Sequence, residues 1–204
     1  MSEPPRDVQA VRREKLERLR ARGVEPFALR FDRDALVSNV RKKHGDIEPG
    51  SSTGDTVRIA GRLIALRRHG QLTFGELRDG SGDLQLMLSE EGLGETEYAH
   101  LDDLDIGDWV GAEGEVVSTK KGELSVLASR VTLLSKSLRP MPEKWHGLKD
   151  VELRLRQRYL DLATTEETRE RTRARARMLK ALRDHLDERG FVELETPVLQ
   201  SVPG

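Results

Sequence analysis

The feature that most constrains how this chain can fold is a set of five short segments between Val57 and Leu134 in which apolar residues recur at strand spacing. Leu84, Leu86 and Leu88, for example, alternate with Gln85 and Met87. Turn signals separate the segments, and a short helix is predicted between the third and the fourth. The predicted strands run from Val57 to the His69-Gly70 turn, then over Leu72 to Leu77, Leu84 to Leu88, Asp108 to Ser118 and Glu123 to Leu134, with the helix over Glu95 to Leu101.

Three strands, a helix and two strands is the order of an OB-fold, a five-stranded, partly open barrel that often binds oligonucleotides. We therefore predict an α+β, mostly β protein in which residues 55–137 form the OB-fold domain. Residues 1–54 are expected to form an N-terminal helical extension. Its helices are predicted over Arg6 to Arg22 and over Asp34 to Lys43, before a loop that ends at Gly54.

The last third of the chain carries helix signals of a different kind. Residues 138–163 are predicted to be a linker, which opens with the stiff segment Arg139-Pro-Met-Pro142. Thr164 and Glu167 have capping-box spacing and predict the start of a long helix to Arg189. Gly190 suits the position after the helix, where a positive φ is needed. A strand is predicted over Phe191 to Thr196, ending at Pro197.

Composition narrows the classes of function. Charged residues make up 35% of the chain and apolar residues 36%, which favours a small barrel with exposed helices over one large core. The absence of cysteine excludes disulfides, thiol nucleophiles and cysteine-ligated zinc. The histidines lack metal-ligand spacing, so we predict no metal site and no catalytic residue. Asp102, Asp103 and Asp105 are interpreted as surface acids in a turn. The N-terminal residues resemble no signal peptide, and no apolar run has the length of a membrane span, so a cytoplasmic location is expected.

Charge distribution points to a nucleic-acid partner more clearly than the net charge of −1 does. Four arginines and no acid lie between Val57 and Gln71, which is typical of a phosphate-contacting strip. Solvated surface arginines with acidic partners elsewhere are the alternative, and composition alone favours that alternative.

Five side chains of the predicted barrel are candidates for RNA contacts. A single-stranded loop is read by stacking its bases on flat side chains while polar groups test the base edges. Phe74 is the candidate stacking ring, although a lone Phe on a strand is more often part of the core. Gln85 and Glu123 are the candidate edge readers. Arg67 and Arg68 are the candidate phosphate or stacking contacts.

Three motifs give the chain a family resemblance. The segment Gly190-Phe-Val-Glu-Leu-Glu-Thr-Pro-Val-Leu199 resembles motif 1 of the class II aminoacyl-tRNA synthetases. The segment Arg158-Tyr-Leu-Asp-Leu162 is similar to one shared by the lysyl, aspartyl and asparaginyl enzymes. The segment Lys144-Trp-His-Gly-Leu148 is similar to the bacterial lysyl-tRNA synthetase family in particular. An aspartyl or asparaginyl parent is the alternative within this class.

The resemblance implies a role for each candidate residue. The barrel would read the uridine-rich anticodon loop of a lysine tRNA, with Phe74 stacking, Gln85 and Glu123 at base edges, and Arg67 and Arg68 beside the loop. Asp83 departs from the family, where a basic or polar residue is common, and this would weaken a phosphate contact. Motif 1 implies a homodimer in the intact parent. The implied interface residues are Phe191, Glu195 and Pro197.

The resemblance also sets expectations for the reaction. The intact parent would use ATP and Mg²⁺ to join lysine to its tRNA through a lysyl-adenylate. Residues 164–204 would be an incomplete start of the catalytic domain, because the family's motifs 2 and 3 do not occur in this sequence. We therefore expect no cofactor in this chain and no amino-acid activation by the chain alone. The expected partner is tRNA, with neither membrane nor DNA. A stand-alone OB-fold RNA-binding or regulatory paralogue is the rival interpretation.

Overall fold

The structure is a computed structural model that describes residues 7–142 and 150–197. The chain divides into two compact units, Met1–Met141 and Pro142–Gly204. The first unit holds helices α1 (Val8–Ala21) and α2 (Val37–His44), a five-stranded sheet, and two short helices within the sheet sequence. The second unit holds three helices.

The five strands close into a barrel with the order β1-β2-β3-β5-β4. The pairs are antiparallel except for β3 and β5, which run parallel. Helices α3 (Glu90–Leu93) and α4 (Glu95–His100) and the 3-10 turn Leu101–Asp103 stand between β3 and β4, as the OB-fold order predicts. The strands are β1 Ser52–His69, β2 Leu72–Arg78, β3 Asp83–Ser89, β4 Trp109–Ser118 and β5 Leu124–Ser135.

The barrel interior follows the strand alternation. Leu84, Leu86 and Leu88 of β3 are buried, while Asp83, Gln85 and Met87 lie on the outer face. This pattern confirms the predicted phase of the third strand. The first strand differs from the prediction, because β1 begins at Ser52 inside the predicted loop. Ser52 pairs with Val117 of β4, so the partner strand extends β1 where composition alone indicates a loop.

A β-bulge in β1 changes which side chains face outward. The register between β1 and β2 shifts between Leu63 and Ala65, so Ile64 is the extra residue. Before the bulge, Ile59 and Leu63 point into the barrel. After it, Leu66 packs against the core, and the residues on either side of Leu66 take the outer face.

Helix α2 begins three residues later than predicted, because its cap comes from elsewhere in the chain. The N–H of Val37 donates to Asp79 Oδ2 at 3.0 Å, and the N–H of Ser38 donates to Ser81 Oγ at 2.9 Å. Asp34, the predicted start, instead accepts from the N–H of Arg58 at 2.8 Å. The β2–β3 turn therefore fixes the first turn of α2.

Helix α1 is held to the barrel by buried ionic contacts. Arg18 Nη2 and Arg22 Nη1 each lie 2.7 Å from the carboxylate of Asp103, whose side chain is 2% exposed. Lys15 and the buried Lys136 pair with Asp105 at 2.7 and 2.5 Å. The interpretation of Asp103 and Asp105 as surface acids is therefore wrong, because each is enclosed by cations that lie far away in sequence.

The second unit contains α5 (Val151–Arg156), α6 (Arg158–Thr164) and α7 (Glu166–Asp187). Asp161 is fully buried and accepts from Arg154 Nε at 2.9 Å, Arg158 Nη1 at 2.9 Å and Thr168 Oγ1 at 3.0 Å. Burial acts to raise the pKa of Asp161, but hydrogen bonds from Arg154, Thr165 and Thr168 outweigh it and the pKa is lowered. Asp161 thus joins the three helices through one ionised carboxylate.

Two predictions for the second unit are wrong. The capping box at Thr164 does not form, because Thr164 ends α6 and its hydroxyl donates to the carbonyl of Leu160 at 2.8 Å. The predicted strand over Phe191 to Thr196 is not a strand, since no strand in the described part of the chain pairs with residues 191–197. Gly190 has the predicted positive φ, 79°, but it lies one residue beyond the C′ position, because α7 ends at Asp187 with Glu188 as its C-cap.

Candidate nucleic-acid interface

A groove of about 370 Å³ lies on the outer face of the barrel, between β1, β2, β3 and the turn that leads into β5. Four of the five candidate RNA contacts line it. The β1 bulge is one reason, because it places Arg67 on the same face as the residues of β2 and β3. The four are Arg67, Phe74, Gln85 and Glu123.

Phe74 and Arg67 stand directly opposite each other on β2 and β1. Phe74 is half-buried on the outer face, while its neighbours Thr73 and Gly75 point into the barrel. The ring of His69 meets the ring of Phe74 edge-on, with centroids 6.2 Å apart and planes at 65°. The core alternative for Phe74 is therefore wrong, and one ring face with an adjacent cation is available in the groove.

Gln85 is held in place by a short relay to the next strand. Its Nε2 donates to Ser125 Oγ at 2.9 Å, and that hydroxyl donates to the carbonyl of Glu123 at 3.1 Å. Ser125 is the parallel partner of Gln85 in β5. An amide carries two donors and one acceptor, so this bond fixes the amide plane and leaves capacity for a ligand edge.

Glu123 stands at the end of the β4–β5 turn, with its side chain 54% exposed. The turn is closed by hydrogen bonds from the N–H of Glu123 to Thr119 Oγ1 at 2.9 Å and from the N–H of Gly122 to the carbonyl of Thr119 at 2.8 Å. Gly122 has a positive φ of 83°, which a tight turn accepts most readily with glycine. The turn thus holds the carboxylate of Glu123 at the groove wall.

The structure does not bring Arg68 into this groove. Its Nη1 lies 2.5 Å from Asp102 Oδ1, and its guanidinium stands 5.5 Å from the ring centroid of Tyr98. The phenol oxygen of Tyr98 hydrogen-bonds with Thr73 and donates to the carbonyl of Gly70. Arg68 therefore covers the barrel end, and its neighbour Arg67 faces the groove.

Sequence reasoning missed two cations of the groove. Arg41 comes from α2, and Lys121 comes from the β4–β5 turn. Lys121 could have been found, because the loop between strands 4 and 5 is a common binding element of OB-folds. No sequence signal marks Arg41, since its position depends on how α2 is seated. Asp83, the family departure, is neutralised by an ion pair with Arg78.

The groove offers side chains of the kinds that contact nucleotides. It combines the ring of Phe74, the amide of Gln85, three carboxylates and three cations; the charged residues are Glu76, Asp83, Glu123, Arg41, Arg67 and Lys121. Stacking with edge hydrogen bonds and nearby cations is how single-stranded nucleic acids are bound. Within residues 7–142 and 150–197, no group of acidic or histidine side chains could hold a metal ion. The helices described there are also too short or too polar to cross a membrane.

The predicted dimer-interface residues lie at the end of the described second unit. Phe191 is 63% exposed, and Glu195 and Pro197 are also exposed. The preceding helix α7 exposes Met178 and Leu182 in the same unit. These apolar side chains give the second unit a wide uncovered surface.

Two family models match the chain. An OB-fold nucleic acid binding domain matches residues 57–134, and the class II tRNA synthetases (D, K and N) match residues 150–204. The first match covers almost the whole barrel. The second covers all the described helices after residue 150.

Curated relatives resemble the chain along nearly its whole length. A lysine–tRNA ligase of Syntrophomonas wolfei is 47% identical over 198 residues, which is 97% of this chain and 39% of that protein. Ligases of the same name from Moorella thermoacetica and Streptococcus pneumoniae are 45% and 43% identical and are covered to 40%. The chain thus spans about two fifths of the length of these relatives. Residues 57–134 are thus similar to OB-fold nucleic acid binding domains, residues 150–204 are similar to class II tRNA synthetases, and the relatives that resemble the whole chain are lysine–tRNA ligases.

Proposed function

We propose that the barrel is the anticodon-binding domain of a lysine–tRNA ligase and that its groove holds uridines of the anticodon loop. The observation that carries this proposal is the convergence of Arg67, Phe74, Gln85 and Glu123 on one groove of the OB-fold. Similarity to lysine–tRNA ligases over 97% of the chain supports the choice of tRNA. A cytoplasmic location follows from that partner.

The chemistry of the groove suits uracil better than cytosine. Uracil presents an N3–H donor between two carbonyl acceptors, whereas cytosine presents an amino group and an unprotonated N3. In the proposed complex, the base stacks on Phe74, Glu123 accepts from N3–H, and the amide of Gln85 donates to a carbonyl oxygen. A cytosine would leave the Glu123 carboxylate facing the N3 acceptor. Leaving buried polar groups unpaired is the strongest means of rejecting a near-identical ligand.

The second unit is proposed to support dimer formation in the intact ligase. The support is the exposed apolar surface of α7 together with the match of residues 150–204 to class II synthetases. We place Phe191, Glu195 and Pro197 at that interface. ATP and Mg²⁺ would serve the intact ligase.

Fluorescence anisotropy with RNA hairpins tests the proposed function. Three labelled hairpins would carry the anticodon loops of lysine, aspartate and asparagine tRNAs on one common stem. We expect the 204-residue chain to bind the hairpin with the lysine anticodon loop most tightly. Equal affinity for the three loops would overturn the assignment to lysine. A preference for the aspartate or asparagine loop would identify the alternative parent.

A further inference from the structure

Helix α2 precedes the barrel in sequence but packs against the barrel core. Val37 and Val40 are 0% and 3% exposed and belong to the barrel core. The first turn of α2 donates to Asp79 and Ser81 of the β2–β3 turn. The helix is therefore fixed to the turn from which β3 enters the groove.

Arg41 lies one helical turn after Val37, so its side chain is next to Asp83 at the start of β3. Its Nε donates to the backbone carbonyl of Asp83 at 2.8 Å. That bond anchors the guanidinium at Nε and leaves its Nη groups directed into the groove. The side chain is 47% exposed and lines the groove beside Gln85.

The other end of the guanidinium faces the candidate edge reader. Arg41 Nη2 lies 3.9 Å from Glu123 Oε1, which is ion-pair range but too long for a direct hydrogen bond. The ion pair therefore draws the Glu123 carboxylate toward the Arg41 side of the groove, while the carboxylate oxygens can still accept hydrogen bonds from a ligand. Glu123 stands on a turn and is 54% exposed, so it needs such a partner to keep one orientation.

We propose that Arg41 is a positioning residue that holds the Glu123 carboxylate for base discrimination, so that α2 is part of the specificity site. This inference rests on the proposed function. Arg41 acts through Glu123, whereas Arg67 faces the ligand directly. A phosphate contact by Arg41 is the competing role, and it would strengthen the binding of every RNA alike.

The test uses the 204-residue chain and a hairpin with three uridines in the loop. This hairpin is compared in turn with hairpins in which a cytidine replaces one uridine, at each of the three positions. The Arg41→Gln variant is expected to lower the affinity ratio between the hairpins by about two- to fivefold, because a half-exposed ion pair at 3.9 Å contributes less than a direct hydrogen bond to a charged group. The matched control is Arg58→Gln. Arg58 is 45% exposed and pairs with Asp34 at 3.2 Å, but it does not line the groove. Its loss removes the same charge and should leave the ratio unchanged.

A double-mutant cycle with Glu123→Gln separates positioning from the other roles. Once Glu123 is replaced, adding Arg41→Gln should change the ratio no further, and the salt dependence should stay as in the single variant. An equal loss of affinity for both hairpins, additive with Glu123→Gln, would show a phosphate contact and overturn the inference. A ratio unchanged by Arg41→Gln while the wild type still discriminates would overturn the inference alone. A wild type that does not discriminate would overturn the proposed function as well.

Discussion

Neighbouring residues on one strand can have different surroundings, and Arg67 and Arg68 show this most clearly. The bulge at Ile64 places Arg67 on the outer face opposite Phe74 and leaves Arg68 at the barrel end with Asp102. Without the extra residue the two side chains would exchange faces. A β-bulge depends on pairing with another strand, so the sequence of β1 alone could not assign these roles.

The first prediction at this scale concerns the two arginines. Replacing Arg67 with alanine should weaken hairpin binding and reduce the slope of log K against log salt by about 0.7, because one phosphate contact on a single strand is lost. The Arg68→Ala variant should change that slope much less, since its guanidinium is paired with Asp102. Binding isotherms at several salt concentrations measure both. A larger slope change for Arg68 than for Arg67 would place the phosphate path at the barrel end.

The second prediction concerns the stacking ring. The Phe74→Ala variant should bind the uridine hairpin more weakly by about 1–3 kcal/mol, which is typical for the loss of one aromatic stacking platform. Phe27→Ala is the control, because Phe27 is 41% exposed and lies outside the groove. Anisotropy titration compares the variants, with thermal unfolding as a check of the fold. Equal losses for the two variants would argue against a stacking role for Phe74.

At the scale of the element, tertiary contacts decide where helices begin and where they dock. The apolar spacing of α1 and of the five strands predicted those elements well. The start of α2 was missed because its cap lies 42 residues away, at Asp79. The role of the acidic turn, residues Asp102 to Asp105, was missed because Asp103 meets Arg18 and Arg22 of α1 only in the folded chain.

The cap of α2 gives a stability prediction with a defined pH dependence. Burial acts to raise the pKa of Asp79, but bonds from the N–H groups of Val37, Ser81 and Gly82 and from the Ser81 hydroxyl outweigh it, so the pKa is lowered. Because its pKa is lower in the folded state, the Asp79 carboxylate stabilises the fold at pH values above the unfolded-state pKa of about 3.9. This stabilisation is lost as the pH falls through the folded-state pKa.

Asp79→Ala should therefore lower the free energy of unfolding by about 1 kcal/mol at neutral pH, as expected for a lost N-cap. The difference from the wild type should shrink as the pH falls below about 4. Urea denaturation at a series of pH values measures it. A difference that grows as the pH falls would show that the Asp79 carboxylate does not stabilise the fold.

The acidic turn gives a matched pair of variants. Asp103→Ala should lower the free energy of unfolding by about 1–3 kcal/mol, because Arg18 and Arg22 lose hydrogen bonds to a buried carboxylate but remain half exposed to solvent. The Asp102→Ala variant should cost no more than about 1 kcal/mol, since Asp102 is 65% exposed in its pair with Arg68. Urea denaturation ranks the two, and equal values would mean that α1 docks without help from Asp103.

At the scale of the whole molecule, the sequence predicted the order of elements, the OB-fold and four residues of one groove. It could not predict the contribution of Arg41, which depends on the seating of α2, or the helix boundary at Thr164. The strand predicted over Phe191 to Thr196 needs a partner strand, and the described residues supply none. Sequence patterns report local propensity, whereas a site also depends on which distant elements meet.

Binding of uridine-rich single-stranded RNA in the Phe74 groove can be mapped residue by residue from amide chemical shifts. A hairpin with three loop uridines would be titrated into the isotope-labelled chain at low ionic strength. We predict saturable shifts at residues 65–67, 74–76, 83–85 and 121–123, with Phe27 and Trp109 unaffected. Shifts confined to other faces of the barrel, or none at all, would contradict it.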